Sequence, residues 1–337
     1  VAHQKSFKSR LCRPGGGSFF LSMHLPNDFT PALGLGDTHA QSLFGVLGRP
    51  ALTLPLRRER RETPDGDFVD LDLLDGAPAA PTLLLLHGLE GSSASGYMQL
   101  MLRDALVRGW NAIALNARSC SGELNRLAPS YSSGDFRDLS WLVKSLNAKT
   151  LFAVGFSLGG SVLLNFLARD EAAARLTAAV AVSAPYDLAL GARFLDSGTF
   201  ITRRYLTRFL PAMKAKALEK ARRFPTLLDA RAIAATTRIR DFDHLFTAPL
   251  FQFESAEHYY AHCSAGSFLH HIHTRTLLLS SLDDALAPPK LPDDVNTNPA
   301  LDVLLTERGG HVGFVSGSIL RPRFWAERRV FEWLERA

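Results

Sequence analysis

Cysteine is scarce and odd in number. The chain carries three, Cys12, Cys120 and Cys263, and no C-x-x-C pair. A disulfide framework is therefore not indicated, and a reducing cytoplasm is the expected compartment. No apolar run approaches the ~20 residues needed to cross a bilayer. An apolar segment followed by a small-residue cleavage site is also missing, which argues against a secretory signal. No H-E-x-x-H and no carboxylate at ligand spacing accompanies His262, His270, His271 and His273, so no metal is expected. Acids are nearly missing from one stretch. Arg203, Arg204, Arg208, Lys214, Lys216, Lys220, Arg222 and Arg223 have Glu219 as the only acid among them. That stretch reads either as the solvated outer face of helices or as a basic surface for peripheral contact with anionic lipid. Nucleic-acid binding would rest on the formal net charge of +5 alone, with no motif behind it.

A globular protein fits what is present. Hydrophobic residues make up 46% of 337, ordinary for a packed domain. The most informative segment is Gly155-Phe156-Ser157-Leu158-Gly159, directly after the apolar run Leu151-Phe152-Ala153-Val154. Leu158 to Arg169 follows with Val162, Leu163, Phe166 and Leu167 at helical spacing. A G-x-S-x-G between strand and helix forces its serine onto a sharp turn with the hydroxyl projecting from the sheet edge. In that architecture an acid and then a histidine should come later in the chain. Thr276-Leu277-Leu278-Leu279-Ser280 reads as a buried strand running into Asp283-Asp284, and Leu301-Asp302-Val303-Leu304-Leu305 as one running into Gly309-Gly310-His311. Both candidates lie past the carboxyl end of a strand, where open α/β sheets place their sites.

A serine hydroxyl needs a base to take its proton during attack, and an imidazole titrates near neutrality. A carboxylate must hold the ring in the right tautomer. Ser157, His311 and Asp284 are the candidates for these roles. Asp284 is favoured over Asp283 because it stands four residues before Pro288; Asp283 is then a loop-capping or solvated group. The oxyanion donors are expected to be the N–H of Leu158, next to the nucleophile, and that of Leu89, in the loop His87-Gly88-Leu89-Glu90-Gly91 after the strand Pro81 to Leu86. His87 is expected to orient that loop by hydrogen bonding. Tyr131, Asp135 and Asp138 are expected to anchor a loop and a helix start. Cys120 is read as a small loop residue near the site, with a second nucleophile as the alternative. Asp67, Asp70 and Asp72 fall in or beside a leading hairpin, far in topology from the serine.

The chain resembles the YheT-type branch of the α/β-hydrolase superfamily, in His87 to Ser93, Asn116 to Glu123, Asn125-Arg126, Tyr131, Gly134 and Asp138. The likeness continues through Gly155 to Gly160, Ser183-Ala184-Pro185, Tyr259-Tyr260 and Gly309 to Phe314, and upstream through Phe29 to Ala32, His39-Ala40-Gln41-Ser42 and Asp65 to Phe68. Ser119 departs from a usual glycine, Ser161 from a common asparagine and Ala285 from a frequent proline. The resemblance covers about residue 25 to the C-terminus. It implies an α/β-hydrolase fold acting on carboxylic esters, short-to-medium acyl esters or acylglycerols, with no cofactor. Acyl transfer by the same residues and a catalytically inactive binding protein are the alternatives.

The remaining chain reads as α/β, a mostly parallel central sheet with helices on both faces. A hairpin is expected at Leu56 to Arg61 and Phe68 to Leu74, strands at Ala112 to Leu115 and Ala178 to Val182, and helices at Tyr97 to Arg108 and Asp135 to Leu146. Pro322 to Arg336 reads as a terminal helix. Residues 186–272 are expected to form a helical cap insertion, with Pro211 kinking one helix. Residues 1–24 are expected to be an N-terminal extension, disordered or upstream of the true start, and residues 25–337 the hydrolase domain.

Overall fold

The structure, a computed structural model, describes residues 27–337. The expectation for residues 1–24 lies outside the described residues. The chain opens with α1 (Thr38–Leu47), then β1 (Arg57–Glu62), β2 (Phe68–Leu74), β3 (Thr82–Leu86), α2 (Gly96–Val107), β4 (Asn111–Asn116), α3 (Arg137–Ser145), β5 (Leu151–Phe156), α4 (Leu158–Arg169) and β6 (Ala178–Val182). A helical excursion follows: α5 (Leu188–Leu195), α6 (Phe200–Arg223), α7 (Ala230–Ala235), α8 (Ile239–Phe242), α9 (Ala248–Leu250) and α10 (Ala256–Cys263). The chain then returns through β7 (Thr276–Ser281) and β8 (Leu301–Thr306), a ribbon of β9 (Val315–Ser318) and β10 (Arg321–Phe324), and α11 (Trp325–Leu334).

Eight strands make one sheet in the order β1-β2-β4-β3-β5-β6-β7-β8. β1, β2 and β4 pair antiparallel, and every neighbour from β4 to β8 pairs parallel. The central strands are almost wholly apolar because both faces are covered. In β3, Leu84 and Leu86 pack with Leu139 and Leu142 of α3 and Leu163 of α4. Leu83 and Leu85 point the other way, toward Met98 and Leu102 of α2 and Phe331 of α11. β2 shows the alternative solution. Val69, Leu71 and Leu73 enter the core, while Asp70 and Asp72 face their register partners Arg60 and Arg58 and form ion pairs at 2.8 Å.

Two expectations need correction. The terminal helix starts at Trp325, not Pro322; Arg321–Phe324 instead pairs antiparallel with Val315–Ser318. Proline lacks the N–H for a ladder, but a two-stranded ribbon has an open edge that tolerates it. The basic stretch on α6 is also not all surface. Lys214 Nζ donates to Ala234 O at 2.6 Å, Lys216 pairs with Glu90 at 2.9 Å, and Arg222 and Arg223 pair with Glu219. Lys220 is fully buried, donating to Asn125 O at 2.9 Å, Asn125 Oδ1 at 2.7 Å and Leu127 O. Arg203, Arg204, Arg208, Arg222 and Arg223 are the exposed arginines of that helix, the last two in surface pairs with Glu219. The helix runs on through Pro211. The excursion has an apolar core of its own, including Leu195, Leu210, Met213, Ile233, Phe242 and Tyr260.

Two buried polar joints tie these layers together. Lys220 fixes α6 to the loop after β4, and burial pulls its pKa down to about 8. His87 joins the ends of β3 and β4: Nε2 accepts the Ala117 N–H at 3.0 Å and Nδ1 donates to Gly88 O at 2.8 Å. Burial drives the His87 pKa down to about 4, so the ring is neutral.

Lys220→Met leaves the buried Asn125 O without its lysine donor, Asn125 Oδ1 with the Ser119 hydroxyl and Leu127 O with the Asn125 amide. It should lower the unfolding free energy by about 1–3 kcal/mol in a urea titration; an unchanged midpoint would remove Lys220 as a joint. For His87 the sign follows from proton counting. An unfolded histidine binds its proton near pH 6.5, whereas the folded one resists until about 4. Between those values the unfolded chain holds more protons, so stability falls as pH drops, by at most about 1.4 kcal/mol per unit. Urea titrations from pH 7 to 4.5 should show a shallower fall for His87→Gln than for wild type, and parallel curves would contradict this.

Candidate active site

Ser157 follows β5 without a spacer and sits at φ 52, ψ −122. A non-glycine residue there is strained by about 1–3 kcal/mol, and the neighbours must leave room. A Cβ on Gly155 would lie 2.4 Å from Gly159 O, and one on Gly159 would lie 2.4 Å from His87 O. Strand, turn and helix therefore meet backbone to backbone. Ser157 N–H still donates to Val182 O at 2.8 Å, which anchors the turn to β6. Helix α4 starts at Leu158, so its unpaired amides and positive dipole end lie beside the serine. The position is also the sheet's switch point, since the chain leaves β3 toward β4 on one side and β5 on the other.

Three of the expected residues meet there. Ser157 Oγ is 2.8 Å from His311 Nε2, and His311 Nδ1 is 2.8 Å from Asp284 Oδ2. The Asp284 side chain is fully buried. Its other oxygen accepts the N–H groups of Leu286 at 3.0 Å and Ala287 at 2.9 Å, which fixes the carboxylate plane. Asp283 does something different. Its carboxylate accepts Gly310 N–H at 2.9 Å and the Ser281 hydroxyl, and so orders the loop that carries His311.

That loop has pins with no visible sequence signal. His311 N–H donates to Ser42 Oγ at 2.8 Å, Ser42 Oγ donates to Thr38 O at 2.7 Å, and Thr38 Oγ1 donates to Asp283 O at 2.7 Å. Val312 N–H donates to Ser183 Oγ at 3.2 Å. Helix α1 thus buttresses the histidine. Its only trace in the sequence is His39-Ala40-Gln41-Ser42 within the family resemblance, which assigned those residues no role.

The loop after β3 is held on the other side of the serine. Gly88 N–H donates to Tyr97 Oη at 2.9 Å, Gly91 N–H to Gly88 O at 3.0 Å, and Glu90 N–H to Tyr131 Oη at 2.8 Å. Tyr131 therefore anchors this loop. Asp138 joins the Arg118 guanidinium at 2.6 Å, with Asp65 and Asp67 on the same group. Asp135 accepts the Arg137 N–H at the start of α3. Ser119, in place of a usual glycine, sits at φ 67 and donates to Asn125 Oδ1 at 2.6 Å, which compensates the backbone cost. Ser161, in place of an asparagine, accepts from Ser133 Oγ at 2.6 Å.

Cys120 is buried, and burial pushes its thiol up to about 11. It stays protonated at neutral pH and lacks the thiolate that a cysteine nucleophile requires. Among the described residues no group of three or more His, Cys, Asp or Glu side chains could hold a metal ion. No helix among them is long and apolar enough to cross a membrane. A cavity of about 530 Å³ opens over Ser157 and His311, with Leu89 and Leu158 in its lining. Its far wall comes from the excursion, including Leu195, Phe209, Met213 and Phe246. The arrangement can transfer a proton from a serine hydroxyl to a histidine beside an apolar chamber.

The chain is 36% identical over 317 residues to the putative esterase YheT of Escherichia coli, covering 91% of this chain and 93% of that one. It is 30% identical over 265 residues to a monoacylglycerol lipase of Saccharomyces cerevisiae, covering 75% and 59%. It is 28% identical over 340 residues to the human phospholipase ABHD3, covering 93% and 81%. A solved esterase of Pyrococcus furiosus, Pf2001, shares the fold at a TM-score of 0.54 and 16% identity, covering 86% and 97%. Residues 81–318 match the model of the alpha/beta hydrolase fold family, and with an eight-stranded, mostly parallel sheet around that match, the chain belongs to the α/β-hydrolase fold family.

Proposed function

We propose that the protein hydrolyses carboxylic esters through Ser157, His311 and Asp284, with short-to-medium acyl esters or acylglycerols as its substrates. The observation that carries this reading is the continuous chain from Ser157 Oγ to His311 to Asp284, with both contacts at 2.8 Å. The names of the relatives, an esterase, a monoacylglycerol lipase and a phospholipase, point to the same class of bond.

In this reading the ester enters beneath residues 186–272, which serve as a cap. Ser157 Oγ bonds to the carbonyl carbon while its proton passes to His311 Nε2. The carbonyl oxygen becomes an oxyanion, met by the backbone N–H groups of Leu89 and Leu158. One such donor is typically worth ~3 kcal/mol in the transition state. Asp284 keeps Nδ1 protonated and stabilises the imidazolium without taking its proton. The tetrahedral centre collapses, the C–O bond to the alcohol breaks, and His311 protonates the leaving oxygen. Water then attacks the acyl-enzyme, giving its proton to His311, and the acid is released as Ser157 recovers its proton. No cofactor enters the sequence.

Ser157→Ala should lower p-nitrophenyl ester turnover by at least about 10⁴-fold and abolish labelling by a fluorophosphonate probe, with the unfolding midpoint near wild type. Retained turnover would remove Ser157 as nucleophile, and an unlabelled wild-type protein would favour a binding role. Asp284→Asn should cost about 10⁴-fold in kcat. Asp283→Asn should cost no more than about 10-fold, because only a loop contact is weakened. The reverse ranking would exchange the two assignments. Product analysis with added acceptor alcohols distinguishes hydrolysis from acyl transfer.

A further inference from the structure

Glu90 directly follows Leu89, and its backbone occupies a costly conformation. The Gly91 to Gly88 hydrogen bond closes a four-residue turn in which Glu90 is third, at φ 53. A positive φ at the third position is a type II requirement, ordinarily met by glycine or asparagine. For a glutamate it costs about 1 kcal/mol or more. Relaxation to negative φ would turn over the peptide that joins the Leu89 carbonyl to the Glu90 N–H, change ψ at Leu89 and so shift the turn whose preceding peptide presents the Leu89 N–H.

Contacts from two parts of the molecule oppose that relaxation. Tyr131 Oη accepts the Glu90 N–H at 2.8 Å and donates to Glu90 Oε1 at 3.1 Å. Lys216 Nζ pairs with Glu90 Oε2 at 2.9 Å, with only 27% and 11% of the two side chains exposed. Tyr131 and Glu90 belong to the α/β body, whereas Lys216 belongs to α6 of the excursion. Lys216 also lies 3.6 Å from Cys120 Sγ, and Lys220, one turn on, grips Asn125 and Leu127. One face of α6 is thus seated on both loops that flank the site. Glu90, Tyr131 and Lys216 all line the cavity that holds Ser157 and Leu89.

We propose that Lys216 is a positioning residue: through Glu90 it holds the Leu89 N–H toward the oxyanion, so that seating of α6 and completion of the oxyanion site are one event. This inference rests on the ester-hydrolase reading. A solvent-exposed ion pair would contribute about 0–1 kcal/mol to stability and nothing specific to the reaction. Here the same pair fixes a backbone amide, and a displacement of about 1 Å at such a group costs up to about 10²-fold in rate.

The test compares wild type, Lys216→Met, Lys216→Arg and Glu90→Gln on a p-nitrophenyl ester and on a trifluoromethyl ketone inhibitor. The inhibitor's carbonyl carbon takes the Ser157 oxygen, the proton passes to His311, and the ketone oxygen remains as the oxyanion. Lys216→Met should lower kcat about 10- to 100-fold with KM within about threefold, and should weaken the ketone by the same factor as kcat/KM. Lys216→Arg keeps the charge and should recover most of kcat. Glu90→Gln keeps the Tyr131 contact, loses the ion pair and should behave like Lys216→Met; it carries the comparison should Lys216→Met not fold. A kcat for Lys216→Met within about twofold of wild type, unchanged ketone affinity, or failure of the arginine to recover kcat would each overturn the proposal. Wild-type protein without ester turnover removes the hydrolase reading and this inference with it. Active wild type with indifferent variants removes this inference alone.

Discussion

The histidine has to reach back across two strands. Ser157 follows β5 and His311 follows β8, with β6 and β7 between them in the sheet. A contact of 2.8 Å between their side chains can form only if the loop after β8 folds over both intervening strand ends. Each of those ends supplies a holding group. Ser183, just past β6, accepts the Val312 N–H. Asp283 and Asp284, just past β7, take the Gly310 N–H and the imidazole. Helix α1 closes the outer side through Ser42. The position of one imidazole nitrogen thus depends on three other segments, two of which the order of parallel strands brings to one rim.

This dependence explains what could be read from the sequence and what could not. The glycines around Ser157 and the apolar runs before Ser157, Asp284 and His311 are local patterns, and each follows from buried parallel strands. The preference for Asp284 over Asp283 likewise came from local spacing. The pins are another matter. Ser42 and His311 are 269 residues apart, and Ser183 and Val312 are 129 apart. A lone serine accepting an amide across such distances leaves no periodicity. The inward turn of Lys214, Lys216 and Lys220 was hidden for a similar reason, since a lysine stem can lie along apolar surface and deliver its charge to a distant acceptor. The β9–β10 ribbon leaves no signal of its own, because Ser316 to Arg323 carries no alternating apolar pattern.

Strain is concentrated around the candidate site. Glu90, Ser119, Ser157, Ser183, Val312 and Phe314 all have positive φ, at about 1–3 kcal/mol each. None is glycine, so the chain tolerates a cost that glycine would avoid. Most of these residues are tied through a backbone amide or side chain to a neighbouring segment: Ser157 to β6, Ser119 to Asn125, Glu90 to Tyr131, Val312 to Ser183. The hydrogen bonds over-determine the loops, and a rigid rim is what pre-oriented amides require.

Charge is arranged on the same logic. The cavity lining includes Arg49, Glu90 and Lys216, and an unpaired charge in an apolar chamber would compete for any developing oxyanion or proton. Arg49 is neutralised by Glu327 at 2.7 Å, with both side chains 2% exposed, and Glu90 by Lys216 at 2.9 Å. The lining also carries Arg208, and Asp243 held by the Thr247 and Tyr260 hydroxyls; beside Ser157 itself stand the imidazole, oriented by Asp284, and the amides at the start of α4. A neutral ester then meets a field set by dipoles fixed in place, not by mobile charges that water would screen. Under the proposed ester hydrolysis, the apolar wall is the part of the cavity suited to an uncharged acyl chain, while discrimination at the reacting carbon falls to backbone amides.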